Sequence, residues 1–531
     1  MALAHWRAAE PSPGVRLRPV AWRWPAVFAT VLCLLTVPPI ALAAIRVPAG
    51  SVFSGYVVIA RDAYVYQAMW RTGWQGAWLF HSGFTSETLP GIVLYPWYLW
   101  PAHLLGWAAG PWLYHLARLG ATAALLAAVF MLIGELFRPR LLRRWALLLC
   151  VLGGGVGALL PHDVHIGPVT THATETIAPG TSVADLIAMA PHLPWAMALM
   201  CLTMVAALRL RNGVSRPWVA GGLAALLGLQ LIYPQLALLA VAVLLGWSLV
   251  RRHRGPARFA VAGALVQLPY LIYLLWVWRT TPAALSVIRP VLEVGDPFGF
   301  LVLSHLTASG LIAVAIWRRR LRGDLLLPAL WIVGMTIFMF APGISGLLGR
   351  SFMASSIPFG LCATPGLLSL LRGVRAVRWR RRLVALALAT SSFFGIFSLA
   401  QPYWIAGFRL DPRAEYENRA EAVLLAWLAP RVSARDLVLT TYLDGIFVPA
   451  QTDARVFAGH PEMTIDAAHK SAQALAFFAD WGPVERASFL QANHIDYVLT
   501  TEVEVAGRLE QDPGLRLIER EAGAAVFQVI R

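Results

Sequence analysis

Arginine clusters alternate with long apolar runs from the N-terminal region to Arg382, and this alternation constrains the fold more than any other feature of the chain. The clusters are Arg138/Arg140/Arg143/Arg144, Arg209/Arg211/Arg216, Arg251/Arg252/Arg254/Arg258, Arg318/Arg319/Arg320/Arg322 and Arg372/Arg375/Arg378/Arg380/Arg381/Arg382. Between consecutive clusters lie two apolar spans, or one long run broken near its middle. The break in 217–250 is Ile232-Tyr233-Pro234, where proline stops a helix. Arginine-rich loops stay on the cytoplasmic side of a membrane, so each pair of spans leaves the cytoplasm and returns. Ahead of them, Trp24–Ile45 follows Arg16, Arg18 and Arg23. It is long for a signal-peptide core and reads as a retained helix with the N-terminus inside.

The spans fall near 24–45, 112–136, 144–160, 191–208, 217–232, 235–250, 258–277, 299–317, 325–341, 353–371 and 383–401, about eleven in all. The composition agrees: 58% of residues are hydrophobic and 14% charged, against about 25% charged in soluble globular proteins. The stretch Gly91–Gly110 is apolar too, but counting it as a span would put the Arg138–Arg144 cluster outside. With three prolines and several Trp and Tyr, it reads as a helix pair lying in the outer interface. An odd number of spans places the chain from Gln401 onward outside. The expected fold is an all-α polytopic membrane protein, a transmembrane domain over 1–402 with a long first outer loop 46–111, followed by a small extracytoplasmic α/β domain over 403–531. Strand-like runs there are Leu437–Thr441, Arg455–Ala458, Tyr497–Thr500 and Ala525–Ile530; helix-like runs are Ala467–Phe478 and Val484–Ala492.

The net charge of +16 divides unevenly, with 32 basic and 10 acidic residues before Gln401 and 12 and 18 from there on. The basic residues sit between apolar runs instead of covering one soluble face, which argues against a nucleic-acid partner. Cys33, Cys150, Cys201 and Cys362 all lie in apolar runs and imply no disulfide framework.

Chemistry is expected in the outer segments. The first carries Arg61-Asp62-Ala63-Tyr64-Val65-Tyr66 and then Trp78-Leu79-Phe80-His81-Ser82-Gly83-Phe84-Thr85-Ser86-Glu87. With so few acids in the membrane part, Asp62 and Glu87 are candidates for a general base or a hard-cation ligand, with Arg61 and Tyr64 as substrate contacts; solvated loop acids are the bland alternative. The second segment carries His162, Asp163, His165, His172, Glu175, Asp185 and His192. Spacing alone does not make it a zinc site. Asp163 is a further candidate acid, and His162, His165 and His192 are candidate substrate contacts. Arg279, Arg289 and Arg350 lie in outer loops against the topological bias, where a bidentate guanidinium suits a lipid phosphate. His115 and Arg118 are ionisable groups inside apolar sequence.

The arrangement resembles the GT-C class of glycosyltransferases, which take a polyprenyl-phosphate sugar at the outer membrane face, and in local wording a bacterial subgroup of GT-C-like membrane proteins. The matching stretches are Asp62–Trp70, Gly76–Glu87, Tyr114–Arg118, Ala190–Ala196, Leu231–Gln235 and Arg455–His460 with Thr464 and Lys470. The resemblance makes Asp62 the counterpart of the catalytic acid in the first outer loop. Where many members carry Asp-x-Asp or Asp-x-Glu in the second, this chain has His162-Asp163-Val164-His165. What it implies is a transferase in the cytoplasmic (inner) membrane, with membrane lipid and a polyprenyl-phosphate sugar as partners and a glycan, lipid or protein as acceptor. No cofactor is required by the sequence, although magnesium or manganese could be held by the outer-loop acids. A transporter or flippase of lipid-linked sugars and a non-catalytic scaffold are the competing readings. A transporter would be expected to show related halves, and none is visible.

Overall fold

Each apolar segment expected to span contains helix in the computed structural model, which describes residues 22–106, 110–156, 180–213, 215–281, 297–340, 349–408 and 415–530, with Leu159 and the short strands 164–166 and 169–171 between them. The first is broken at Thr36 into α1 (Arg23–Leu35) and α2 (Pro38–Ile45). Then come α3 (Ala60–Trp74), α4 (Pro96–Leu105), α5 (Gly110–Leu136), α6 (Arg140–Val151), the single turn α7 (Val183–Leu186) and α8 (His192–Leu210). The bundle is completed by α9 (Arg216–Ile232), α10 (Pro234–Arg251), α11 (Arg254–Thr280), α12 (Pro297–Ser304), α13 (Leu306–Trp317), α14 (Leu326–Phe340), α15 (Ser356–Gly373) and α16 (Val377–Phe408). The expected break stands at Tyr233, whose φ of −139° and ψ of 89° separate α9 from α10, with Pro234 opening the second helix.

Six described helices are long and apolar enough to cross a membrane: 23–45, α5, α8, α10, α11 and α16. α9, α13 and the 323–339 segment are apolar but shorter. The expected span 144–160 is realised as the 12-residue α6. Gly91–Gly110 forms one described helix, α4, with Pro101 inside it, and not the expected pair. Four of the arginine clusters meet at one end of the bundle. There Arg209 Nε lies 2.8 Å from Glu135 Oε1, Arg211 pairs with Asp324 at 2.5 Å, and His253 feels the Asp324 charge. All four cysteines are free thiols.

The C-terminal part is a five-stranded sheet in the order β6 (Arg455–Val456), β5 (Leu437–Leu439), β7 (Tyr497–Thr500), β9 (Ala524–Val529), β8 (Leu515–Glu521). β5 runs parallel to β6 and β7; β9 is antiparallel to β7 and β8. Side-chain alternation sends Leu437, Leu439, Val498, Ala525 and Phe527 to one face and Val438, Leu499, Ala524 and Val526 to the other. The first face is covered by α19 (Ala467–Ala479), α20 (Pro483–Ala492) and α21 (Val503–Glu510), the second by α17 (Arg419–Leu428) and α18 (Phe447–Gln451). Backbone pairing and a shared core tie this part to the bundle. Strand β1 (Ser51–Phe53) pairs antiparallel with β4 (Tyr416–Asn418), and Tyr64 of α3 belongs to the second core of the sheet.

Candidate active site

Helix α3 lies between the bundle and the sheet, and its two faces do different work. Positions 61, 64, 71 and 75 form one stripe of a 3.6-residue helix, and 62, 66 and 70 form another. On the first stripe, Tyr64 is 2% exposed and its ring meets Phe447 edge-to-face at 4.7 Å. Arg71 Nε and Gln75 Nε2 reach Asp453 Oδ1 at 2.9 and 2.5 Å. The Arg61 charge bears on Tyr442, whose hydroxyl burial nonetheless pushes up to about 12. On the second stripe, Tyr66 and Trp70 line a groove of about 310 Å³ between α3, α4, α5 and α8, shared with Trp97, Tyr98, Tyr114 and Trp195. Its mouth lies on the bundle's apolar surface, where Trp97, Leu105 and Leu116 are exposed. The close fit of α3 on α4 needs Gly73, since a Cβ there would lie 1.9 Å from the Leu99 carbonyl oxygen.

Asp62 begins the second stripe. Its carboxylate stands one turn ahead of Tyr66, whose hydroxyl is pushed well up by burial and then by the Asp62 charge. Asp62 Oδ1 also lies 3.3 Å from His460 Nε2, and the two side chains are 39% and 3% exposed. Ile59, directly before α3, has φ 49°, a left-handed conformation costly for a β-branched residue. Strain of that kind clusters at active sites and ligand clamps. Asp62 therefore stands one turn from the apolar groove, partly open to solvent, against a buried imidazole of the C-terminal domain.

The other expected site residues are placed as follows. Glu87 is held by Lys470, whose Nζ donates to Glu87 Oε1 at 2.6 Å, Ser86 Oγ at 2.7 Å and Thr85 Oγ1 at 3.2 Å. Burial raises the Glu87 carboxyl, but the hydrogen bonds from Lys470 and Thr85 outweigh it and the net shift is downward. Glu87 is thus a docking carboxylate between loop and sheet domain. Tyr64, expected at the substrate, is instead packed into the domain seam. His192 is 3% exposed at the start of α8 and joins Tyr98 Oη (2.7 Å) to Tyr233 Oη (3.0 Å) on the groove's inner wall. Arg279 is exposed in the last turn of α11.

His162, Asp163, His172, Glu175 and Arg289 lie outside the described residues, as do the side chains of His165 and Arg350. The turn that bears Arg350 packs on the end of the second outer segment, with the Ala354 amide donating to the Gly180 carbonyl at 2.8 Å and the Ser356 amide to that of Thr181 at 3.0 Å. Among the described residues, no three His, Cys, Asp or Glu side chains gather to hold a metal. Asp62 and His460 alone do not supply the all-oxygen shell that magnesium or manganese prefers.

Inside the bundle, Arg118 is 2% exposed and donates from Nη1 to the Ile187 carbonyl at 2.9 Å, and His115 Nε2 lies 2.7 Å from the Gly55 carbonyl. Sequence reasoning had no signal for His460 as a partner of Asp62. It appeared only as part of the Arg455–His460 stretch, 398 residues away.

No family model matches the chain, and no curated protein matches it in sequence. Among solved structures it is similar to the cryo-EM structure of the arabinofuranosyltransferase AftD from mycobacteria, with a TM-score of 0.55 and 16% identity over 97% of this chain. The chain spans 42% of the length of that structure. At that identity the likeness is one of fold, a polytopic helical architecture of the kind the sequence led us to expect.

Proposed function

We propose that the protein is a membrane glycosyltransferase that moves a sugar from a polyprenyl-phosphate donor to an acceptor hydroxyl at the outer face of the cytoplasmic membrane. The observation that carries this reading is the place of Asp62, one helical turn from an apolar groove that opens on the bundle's lipid-facing surface, yet partly open to water beneath the C-terminal domain. A donor with a long apolar tail and a charged head needs that junction. The groove's Trp and Tyr walls suit an isoprenoid chain, and the reacting sugar then lies near the carboxylate.

Asp62 takes the proton of the acceptor hydroxyl as its oxygen bonds to the anomeric carbon. The bond from that carbon to the phosphate oxygen breaks, and the phosphate leaves with the electron pair. Arginine is suited to stabilise the charge gathering there, and Arg350 and Arg279 are the proposed clamp. Arg61 and His192 shape the two sides of the site, and no step is routed through a metal.

Transfer of labelled sugar from polyprenyl-phosphate donors, an arabinofuranosyl one among them, is measured in proteoliposomes. Asp62→Asn, nearly isosteric, is expected to lower the rate by about 10²- to 10⁴-fold with unchanged melting. A wild-type rate in this variant overturns the reading and favours a scaffold. Arg350→Ala should weaken donor use strongly and Arg350→Lys recover only part of it, since lysine offers phosphate a point charge in place of two parallel hydrogen bonds. Equal rates in all three proteins remove Arg350 from the clamp.

A further inference from the structure

We infer that His460 is a positioning residue for Asp62, and that the C-terminal domain is thereby part of the catalytic unit. The inference rests on the reading of Asp62 as general base. Its starting point is the tautomer. The Glu462 backbone amide donates to His460 Nδ1 at 3.2 Å. A backbone N–H only donates, so Nδ1 is the unprotonated nitrogen and the ring proton sits on Nε2. Nε2 faces Asp62 Oδ1 at 3.3 Å and donates to it.

The imidazole is fixed from behind. Thr464 Oγ1 accepts from the Gly459 and His460 amides, both at 3.1 Å, and donates to the Phe84 carbonyl at 2.6 Å. The Thr464 amide returns to the His460 carbonyl at 2.9 Å. Gly459 lies so close to Gly445 that an added Cβ would stand 2.5 Å from the Gly445 carbonyl oxygen. The loop from the first outer segment is fastened to the same turn by the bridge between Thr85 and Ala458 and by the Val456 amide, which donates to the Gly83 carbonyl at 2.8 Å.

Asp62 has the opposite character, a two-fifths exposed carboxylate on two rotatable bonds. A donor seated in a rigid buried turn restricts the carboxylate it holds. His460 fixes the direction of the carboxylate, and a base misplaced by about 1 Å costs on the order of 10²-fold in rate. The dyad also explains why a sheet domain is anchored so heavily to the first outer loop.

The test uses the full chain in proteoliposomes, with Asp62→Asn as the reference. His460→Ala should lower kcat by about 10- to 100-fold with the donor KM within about twofold of wild type. His460→Gln, which can place an amide N–H near the Nε2 position, should recover most of that loss. A merely structural histidine predicts a lower melting temperature and no selective rescue by glutamine. Wild-type kcat in His460→Ala, alongside a dead Asp62→Asn, overturns the positioning role and leaves the transferase reading standing. Full activity in Asp62→Asn overturns both. A readout independent of transfer is ¹⁵N-histidine NMR of the wild-type protein, with the His460 signal assigned by its loss in His460→Gln. A neutral ring protonated at Nε2, whose Nε2 proton moves in Asp62→Ala, supports the dyad. An Nδ1-protonated ring, or a signal indifferent to Asp62→Ala, overturns it whatever the activity.

Discussion

Lys470 is the single lysine of the chain; the other 43 basic residues are arginine. Its surroundings explain the choice. An ammonium offers three donors on a compact point, and Lys470 spends them on Thr85, Ser86 and the Glu87 carboxylate at 2.6–3.2 Å. A planar guanidinium cannot converge on three partners so close together. Lys470→Ala should therefore destabilise the protein by roughly 1–3 kcal/mol, because the buried Thr85 and the half-exposed Glu87 lose a charge-assisted partner. Lys470→Arg should recover little of it. Thermal unfolding of the two variants checks this, and a Lys470→Ala/Glu87→Gln double variant should be less destabilised than the sum of the singles. The Glu87 carboxyl titrates below its ordinary value, so this contribution is present at neutral pH and is lost as pH falls through that lowered pKa. At this scale the sequence showed which residues were unusual but not their partners. Asp62 and Glu87 stood out as rare acids, yet His460 and Lys470 lie 398 and 383 residues away from them, beyond the reach of any local pattern.

Strand β4 brings an acid into the seam between bundle and sheet domain. Glu417 pairs with Val52 of β1 and is buried, its carboxylate accepting from Gln451 Nε2 at 2.7 Å. Burial pushes its pKa from 4.5 to about 7, with Asp444 adding to the rise and the Gln451 hydrogen bond opposing it. A carboxyl whose folded pKa is raised favours folding while protonated and costs stability as pH climbs from its unfolded value through 7. Glu417→Gln, which keeps the shape, should raise stability at pH 8 by up to about 3 kcal/mol and leave it nearly unchanged at about pH 4. A melting temperature equal to wild type at both pH values would refute this. Elements with strong periodicity or punctuation were legible: the α9/α10 break at Tyr233-Pro234, and the strands β5, β7 and β9, whose apolar residues are buried on both faces. β8 was missed because an edge strand reading Leu-Arg-Leu-Ile-Glu-Arg-Glu masks its alternation with charge. β1 and β4 were missed because three-residue strands carry no periodic signal, and they pair across 363 positions or more. In Gly91–Gly110 one described helix starts after Tyr95 and continues through Pro101, where the prolines suggested two.

At the scale of the whole molecule, charge placement carries the argument. Only 10 acids precede Gln401, and two of them, Glu135 and Asp324, sit at one end of the bundle against Arg209 and Arg211. Their positions knit separate arginine clusters into one basic face, as the alternation of clusters and spans predicts for a cytoplasmic surface. Asp62 belongs to the opposite logic. It is hydrogen-bonded to His460, so the candidate site and the sheet domain lie on the same side of whatever membrane the bundle crosses. Six described helices are long and apolar enough to span, and shorter apolar ones such as α9 and α13 occupy other expected segments, so the arginine-based path is tested by orientation. The expectation is that Arg254 faces the cytoplasm and Gly459 the outside. Paired reporter fusions decide it: one active only outside the cytoplasmic membrane, the other only within. At Gly459 the first should be active and the second silent, and at Arg254 the reverse. If both sites report the same side, the chain crosses an even number of times between them, so one of the five expected spans from 258–277 to 383–401 does not cross or an uncounted one does. Should that side be the cytoplasm, Asp62, bonded to His460, lies on the face where the arginines are, and transfer at the outer face is overturned.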